Sequence, residues 1–255
     1  MSASKSTPVD RGLNDVSESL SSSERTQNNI LPQRRQLLKD QIALIQSSRR
    51  FLSLKAQKPL DELHSEIIRC TKCRLAKTRT RAVPGEGSMN ARLMFIGEGP
   101  GRTEDQKGRP FVGRAGKLLD EMLEEIGVKR SEVFITNVVK CRPVSPEGRD
   151  RKPSEDEIST CTPLYLEKQI DIITPTVICT LGDTATAYIL HKHGLEPGMI
   201  SKIHGSTFIT HRFKIMPMYH PAAALYTNEL KEAIQRDFER LEALLKQSSL
   251  ESFRS

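Results

Sequence analysis

The stretch Phe95-Ile-Gly-Glu-Gly-Pro-Gly101, continuing through Glu104, Asp105 and Arg109-Pro-Phe-Val-Gly113, decides the fold. It grows out of an apolar run, Arg92-Leu-Met-Phe-Ile96, that stops abruptly at a Gly-Glu-Gly-Pro-Gly turn, and about fifteen residues later an amphipathic helix begins. This pattern describes a strand that hands a carboxylate, Glu98, to a loop rim. In open α/β sheets ligands bind in the crevice beyond the carboxyl ends of the strands, so Glu98 stands where chemistry is usually done.

Downstream, Leu118, Leu119, Met122, Leu123 and Ile126 form an apolar stripe that closes at Gly127, a good helix terminus. Val133-Phe-Ile-Thr-Asn-Val-Val139 reads as a buried strand, and Ser154-Glu-Asp-Glu157 as a capping box opening a helix over Ile158 to Ile172. Pro175 to Leu181 is a third strand, and Gly182 opens a helix running through Leu190. Phe208 to Tyr219 reads as a hairpin whose second arm, the fourth strand, runs into His220-Pro221. The closing helix carries its stripe at Leu230, Ile234, Phe238, Leu241 and Leu245. Alternation of strand and helix predicts an α/β fold, three layers α/β/α around a central, mostly parallel four-stranded sheet. No internal repeat interrupts it.

Upstream, Pro59 to Ile68 is a short helix leading straight into Cys70-Thr-Lys-Cys73. The totals, 255 residues with 36% hydrophobic and 28% charged side chains, allow one substantial core plus an appendage. Residues 1–30, rich in Ser, Asn, Thr and Asp, are expected to form a disordered tail, 31–58 a basic helical extension, 59–247 the folded domain, and 248–255 a flexible C-terminal tail. Apolar runs fall short of the roughly eighteen residues of a membrane span, and the polar N-terminus lacks the apolar segment of a secretory signal. An intracellular protein with no membrane partner is the expectation.

The net charge of +7 is concentrated. Residues 31–58 set Arg34, Arg35, Lys39, Arg49, Arg50, Lys55 and Lys58 against Asp40 alone, and residues 69–81 hold Arg69, Lys72, Arg74, Lys77, Arg79 and Arg81 with no acid. A solvated surface explains one such block. A second, beside Cys-x-x-Cys and just ahead of the Glu98 strand, points to a polyanion, because clustered Lys and Arg gain affinity by releasing phosphate counterions.

In the expected architecture the strand ends share one edge. Glu98 follows the first strand, Asn137 lies near the end of the second and His220 follows the fourth, so three distant polar side chains can converge. Each has a plainer reading: a helix cap, a loop bond, a structural His before Pro. Phe111 sits in the Gly- and Pro-rich loop Gly108 to Gly113, where no periodicity explains an aromatic; it is either a loop anchor or a flat platform for a planar ligand. No Gly-Lys-Ser/Thr follows, which disfavours a nucleotide-hydrolysing P-loop, and Gly97-Glu-Gly99-Pro-Gly101 lacks the dinucleotide-binding spacing.

Cys70, Cys73, Cys141 and Cys161 make a four-thiolate set, while Cys179 lies inside an apolar strand as a small buried side chain. Four thiolates suit zinc or an iron-sulfur cluster, and the spacing alone leaves both open.

At this point the residues resemble the family 4 uracil-DNA glycosylases, the iron-sulfur class of bacteria and archaea. The resemblance covers Leu60 to Leu245 and rests on Cys70-Thr-Lys-Cys73, Gly97-Glu-Gly-Pro-Gly-Arg-Thr-Glu-Asp105, Gly108-Arg-Pro-Phe-Val-Gly113, Thr136-Asn-Val-Val-Lys-Cys-Arg-Pro143, the helix bearing Cys161, and His220-Pro221. It implies a [4Fe-4S] cluster on Cys70, Cys73, Cys141 and Cys161, with Glu98 activating water and His220 stabilising the departing base. It further implies that Phe111 stacks on a flipped uracil, that Asn137 reads its polar edge, and that Gly97, Gly99 and Glu104 line the base site, Glu104 crowding the uracil 5-position against thymine. Gly99 departs from the Ala common in the family. The segment Arg142 to Arg151 lacks the Lys-Arg-Arg-Ile-His insertion of a related group that forms a covalent DNA adduct, so turnover is expected.

The resemblance thus implies a monofunctional enzyme of base excision repair. It would excise uracil from double- or single-stranded DNA, leaving an abasic site, as a monomer in the cytoplasm of a prokaryote, associated with the nucleoid. A sliding clamp or another repair partner stays open. The rival from another class is a non-catalytic iron-sulfur protein that binds lesions or single strands. A nucleotide-hydrolysing enzyme is more distant.

Overall fold

The structure, a computed structural model, describes residues 58–251 and the two positions Lys39 and Gln41, with side chains described to residue 247. The expected tail over 1–30 and most of the basic extension over 31–58 lie outside the described residues, as does the end of the C-terminal tail.

The first helix, α1 (58–69), delivers Cys70 at its C-terminal end. Six strands follow: β1 (Glu86–Gly87), β2 (Leu93–Gly97), β3 (Phe134–Asn137), β4 (Val177–Leu181), β5 (Phe208–Ile209) and β6 (Lys214–Met218). They form one sheet in the order β1-β3-β2-β4-β6-β5. The four inner strands, β3-β2-β4-β6, are mutually parallel, as the alternating pattern predicts. The sheet exceeds the expected four strands because β1 and β5 add antiparallel edges of two residues each, too short to leave a periodic signal.

Between the strands run α2 (Arg102–Lys107), α3 (Arg114–Glu125), α4 (Glu155–Cys161), α5 (Glu167–Ile173), α6 (Asp183–Lys192) and α7 (Ile200–Ile203), and α8 (Asn228–Glu251) follows β6. The expected capping box is present at Ser154 and Glu157, with the Ser154 N–H donating to Glu157 Oε2 at 2.9 Å. A single helix was expected over Ile158 to Ile172. Instead a π turn, Thr162–Leu166, separates α4 from α5, one residue wider than an α turn. Helix α8 runs to Glu251, past the boundary drawn at 247.

Alternation within the strands sorts the core into two layers. Met94, Ile96, Phe134, Ile178 and Ile215 face α1, α5 and α6 through Ile67, Ile170 and Ile189. Leu93, Phe95, Ile135, Val177, Cys179 and Met216 face α3 and α8 through Leu119, Met122, Ile234 and Phe238. This is the three-layer α/β/α arrangement. With both faces covered, the inner strands read as apolar runs.

The order also fixes where the crevice lies. From β2 the chain passes to β3 on one side and returns to β4 on the other, so β2 is a topological switch point, and the residue leaving its carboxyl end is Glu98.

Candidate active site

The parallel register brings the strand ends level. Gly97 pairs with Asn137 across β2 and β3, and the Gly182 N–H, just past β4, donates to Met218 O at the end of β6 at 2.9 Å. Above this edge lies a cavity of about 440 Å³ lined by Glu98, Gly99, Glu104, Phe111, Asn137 and His220, among others. Its volume is that of a small-molecule site. Every rim residue singled out in the sequence lines it except Gly97, which forms the floor behind: a Cβ there would lie 2.5 Å from Asn137 Oδ1 and 2.7 Å from Phe111 Cζ.

Phe111 is buried and holds φ +47°, a left-handed conformation that costs a non-glycine residue roughly 1–2 kcal/mol. Two neighbours keep it there. Glu104 Oε1 accepts the N–H groups of Val112 at 2.9 Å and Gly113 at 2.8 Å, pinning the loop at the start of α3. Gly116 presses against the Phe111 carbonyl so closely that a Cβ would collide with it. The Phe111 ring then tilts against the His220 imidazole, centroids 5.5 Å apart. Glu104 therefore shapes the pocket as well as lining it.

Asn137 is 2% exposed, and its Oδ1 is a buried acceptor with no hydrogen-bond partner in the protein. An orphan of this kind costs about 1–3 kcal/mol, so it marks a place completed by something else. The backbone beneath it is firmly held. Lys140, fully buried, donates from Nζ to Asn137 O at 2.7 Å, Thr136 Oγ1 at 2.6 Å and Gln169 Oε1 at 2.8 Å. Burial lowers this ammonium to about 7, while Cys161 and Cys141 pull it upward.

His220 is lowered to about 4 by burial, with Glu104 opposing, so the ring is neutral at physiological pH. The Ala222 N–H donates to His220 Nδ1 at 3.1 Å, which leaves the proton on Nε2 and makes that nitrogen a fixed donor. Glu98 completes the set, its Oε2 accepting from Thr184 Oγ1 at 2.5 Å.

Sequence reading missed the corner Gly182-Asp183 and the segment Asp150-Arg151-Lys152, both on the cavity wall, and Thr184 just behind the corner, which reaches Glu98. It also missed the turn just past His220, where Leu225 and Tyr226 are exposed, Tyr226 by 80%. The Gly182 helix start and the His220-Pro221 pair were visible signals for the first and last.

Behind β3, Cys70, Cys73, Cys141 and Cys161 line one narrow cavity with Ile67, Leu75, Leu164 and Tyr165. All four are free thiols, and among the described residues no three metal-binding side chains are close enough to hold a single ion. Donors already address the sulfurs: Arg79 Nη1 reaches Cys141 Sγ at 3.1 Å and the Lys72 N–H reaches Cys70 Sγ at 3.5 Å. Burial pushes the Cys161 thiol up to about 11 and raises Cys141. Four sulfurs around one cavity, two of them receiving N–H bonds, are a donor set that zinc and an iron-sulfur cluster both use. Arg74 of the basic block, though exposed, is tied to the buried Glu157 at 2.6 Å, while Arg69, Lys72, Lys77 and Arg81 are exposed.

A pocket that offers a ring one flat face and one unmet acceptor is built for a planar heterocycle, and the fold puts it where α/β proteins take up bases and nucleotides. Comparison with known proteins narrows this class. Residues 84–244 match the family model described as the uracil DNA glycosylase superfamily. The type-4 uracil-DNA glycosylase of Sulfurisphaera tokodaii is 50% identical over 191 residues, 72% of this chain and 84% of that protein. Those of Saccharolobus solfataricus and Archaeoglobus fulgidus are 47% and 46% identical, over 73% and 71% of this chain and 86% and 91% of theirs. The chain belongs to the uracil DNA glycosylase superfamily and, within it, to the type-4 enzymes.

Proposed function

We propose that this protein removes uracil from DNA by hydrolysing its N-glycosidic bond, leaving an abasic site without cutting the strand. The observation that carries the reading is the buried, unpartnered Asn137 Oδ1 beside the Phe111 ring. Uracil N3–H supplies the missing donor, and the Asn137 amide N–H donates to uracil O4. Cytosine presents the reverse pattern and leaves buried groups unpaired. A base reaches such a pocket only when flipped from the stack, at a cost of a few kcal/mol that stacking on Phe111 partly offsets. The exposed Leu225-Tyr226 turn is read as the apolar wedge that fills the space left behind.

Cleavage builds positive charge on the sugar and negative charge on the base. A neutral His220 donating from Nε2 to uracil O2 stabilises the anion, and the Glu98 carboxylate stabilises the cationic sugar and orients the attacking water. Glu104 keeps the Phe111 loop in register and is read as the side chain that crowds the uracil 5-position.

The four cysteines are read as ligands of a [4Fe-4S] cluster, which when bound supplies a rigid clasp and a one-electron centre. Arg79 and the Lys72 N–H are placed to stabilise the thiolates. Residues 31–58 are read as an added DNA contact on a monomeric enzyme acting at the nucleoid.

Incubation with an oligonucleotide containing one uracil, followed by alkali, tests the proposal. Scission at uracil alone is expected. Intact strands, with tight binding to the uracil site, would instead favour the non-catalytic lesion binder.

A further inference from the structure

A carboxylate at the end of a glutamate side chain turns freely unless one oxygen is held. We infer that Thr184 is the positioning residue for Glu98, fixing one carboxylate oxygen so that the other faces the attacking water. The inference rests on the reading of Glu98 given above. Thr184 Oγ1 donates to Glu98 Oε2 at 2.5 Å, across 86 positions of sequence. Oε1 is thereby left to the cavity that Glu98 lines.

The anchor is itself fixed. Thr184 lies in the first turn of α6, where β-branching leaves its hydroxyl two favoured directions, and the bond to Glu98 holds one of them. That turn is tied to the sheet by the Gly182 N–H donating to Met218 O at the end of β6 at 2.9 Å. The buried hydroxyls of Thr180 on β4 and Thr186 share a second tie at 2.8 Å. Gly182, two residues before Thr184, holds φ +85°, and a Cβ added there would lie 3.3 Å from His220 Cβ. One corner, Gly182 to Thr184, thus touches His220 at one end and holds Glu98 at the other. The corner thus lies between the two side chains, alongside the bonds that each makes within its own surroundings, the Ala222 N–H to His220 Nδ1 and the Val139 N–H to Glu98 O.

Thr184→Val keeps the shape and removes the donor; Thr184→Ser keeps the donor. The measurements are the single-turnover excision rate on a uracil duplex and the dissociation constant for a duplex carrying a non-hydrolysable 2′-fluoro-deoxyuridine. Thr184→Val is expected to slow excision roughly 10- to 100-fold with the dissociation constant within about twofold, and Thr184→Ser to restore most of the rate. In a Glu98→Ala background Thr184→Val should cost nothing further, because there is no carboxylate left to aim.

If Thr184→Val is slow by itself and equally slow on top of Glu98→Ala, or if Thr184→Ser is as slow as Thr184→Val, the inference is overturned while Glu98 keeps its role. An undiminished rate in Thr184→Val, with Glu98→Ala impaired, overturns it likewise. If Glu98→Ala itself retains the parent rate, the reading of Glu98 fails and the inference falls with it. Should Thr184→Val not fold, Thr184→Ala serves as the second variant lacking the hydroxyl.

Discussion

Replacing Gly97 by Ala tests the pocket at its narrowest point. Gly97 lies in a buried strand and has an ordinary φ, so the added methyl brings no backbone strain, only volume. Its Cβ would stand 2.5 Å from Asn137 Oδ1 against the 3.4 Å of ordinary contact, a shortfall of about 0.9 Å. Against Phe111 Cζ it would stand at 2.7 Å, short by about 0.7 Å. Phe111 has little room to yield, since its carbonyl abuts Gly116 and its ring abuts His220. Asn137 must therefore turn, and a shift of about 0.9 Å takes a hydrogen bond of about 2.9 Å beyond bonding range. A misplacement of about 1 Å costs on the order of 10²-fold in rate, equivalent to about 2.7 kcal/mol of barrier.

The assay is single-turnover excision of uracil by the purified Gly97→Ala protein, with thermal melting in parallel. Overpacking of this kind costs about 1–3 kcal/mol of stability, so the variant should remain folded with a lowered melting temperature. Gly99→Ala, whose Cβ would meet the side chains of Val139 and Pro143, should lose less activity. A Gly97→Ala enzyme within threefold of the parent rate would refute the placement of the base between Asn137 and Phe111.

Because burial lowers His220 from 6.5 to about 4, excision should show no loss attributable to this ring as pH rises from about 5.5 to 8. A rate that falls above pH 6.5 and is flattened in His220→Gln would mean that the imidazolium is required. The same shift makes the His220 contribution to stability complete above pH 6.5 and lost as pH falls toward 4, where the unfolded chain takes the proton first; urea titrations of parent and His220→Gln across that window will show it. Substituting Leu225 and Tyr226 by Ala should slow excision from duplex more than from single strands, and equal slowing would remove the wedge. Protein purified without oxygen should be brown and contain iron, and Cys161→Ser should lose both; a colourless zinc protein would overturn the cluster.

Strand ends are the part of this molecule that sequence expresses most clearly. Leu93–Gly97, Phe134–Asn137 and Lys214–Met218 are largely apolar because both sheet faces are covered, and Glu98, Asn137 and His220 lie at or just past their ends. That is why Glu98, Asn137 and His220 could be brought together before any coordinates. Thr184 could not, since a Thr in a first helical turn is unremarkable and only its bond to a residue 86 positions away distinguishes it. The π turn after Cys161 leaves the apolar spacing nearly helical, so periodicity passes over it. Arg74 and Arg79 read as members of a basic strip, yet Arg74 is paired with a buried carboxylate and Arg79 with a cysteine sulfur and a carbonyl. A run of like charge reports composition, whereas partnership depends on other chain segments, 83 residues away for Glu157, 62 for Cys141 and 11 for Ile68.

The left-handed backbone of Phe111 is held in place by the ring it carries. Glycine there would relieve roughly 1 kcal/mol of strain but would remove a buried aromatic side chain, a loss of about 3–5 kcal/mol, so packing outweighs strain at this position. The strained turn and the packed ring are therefore one device: the core that buries Phe111 also fixes the direction its ring presents to the cavity, with no rearrangement needed when a ligand enters.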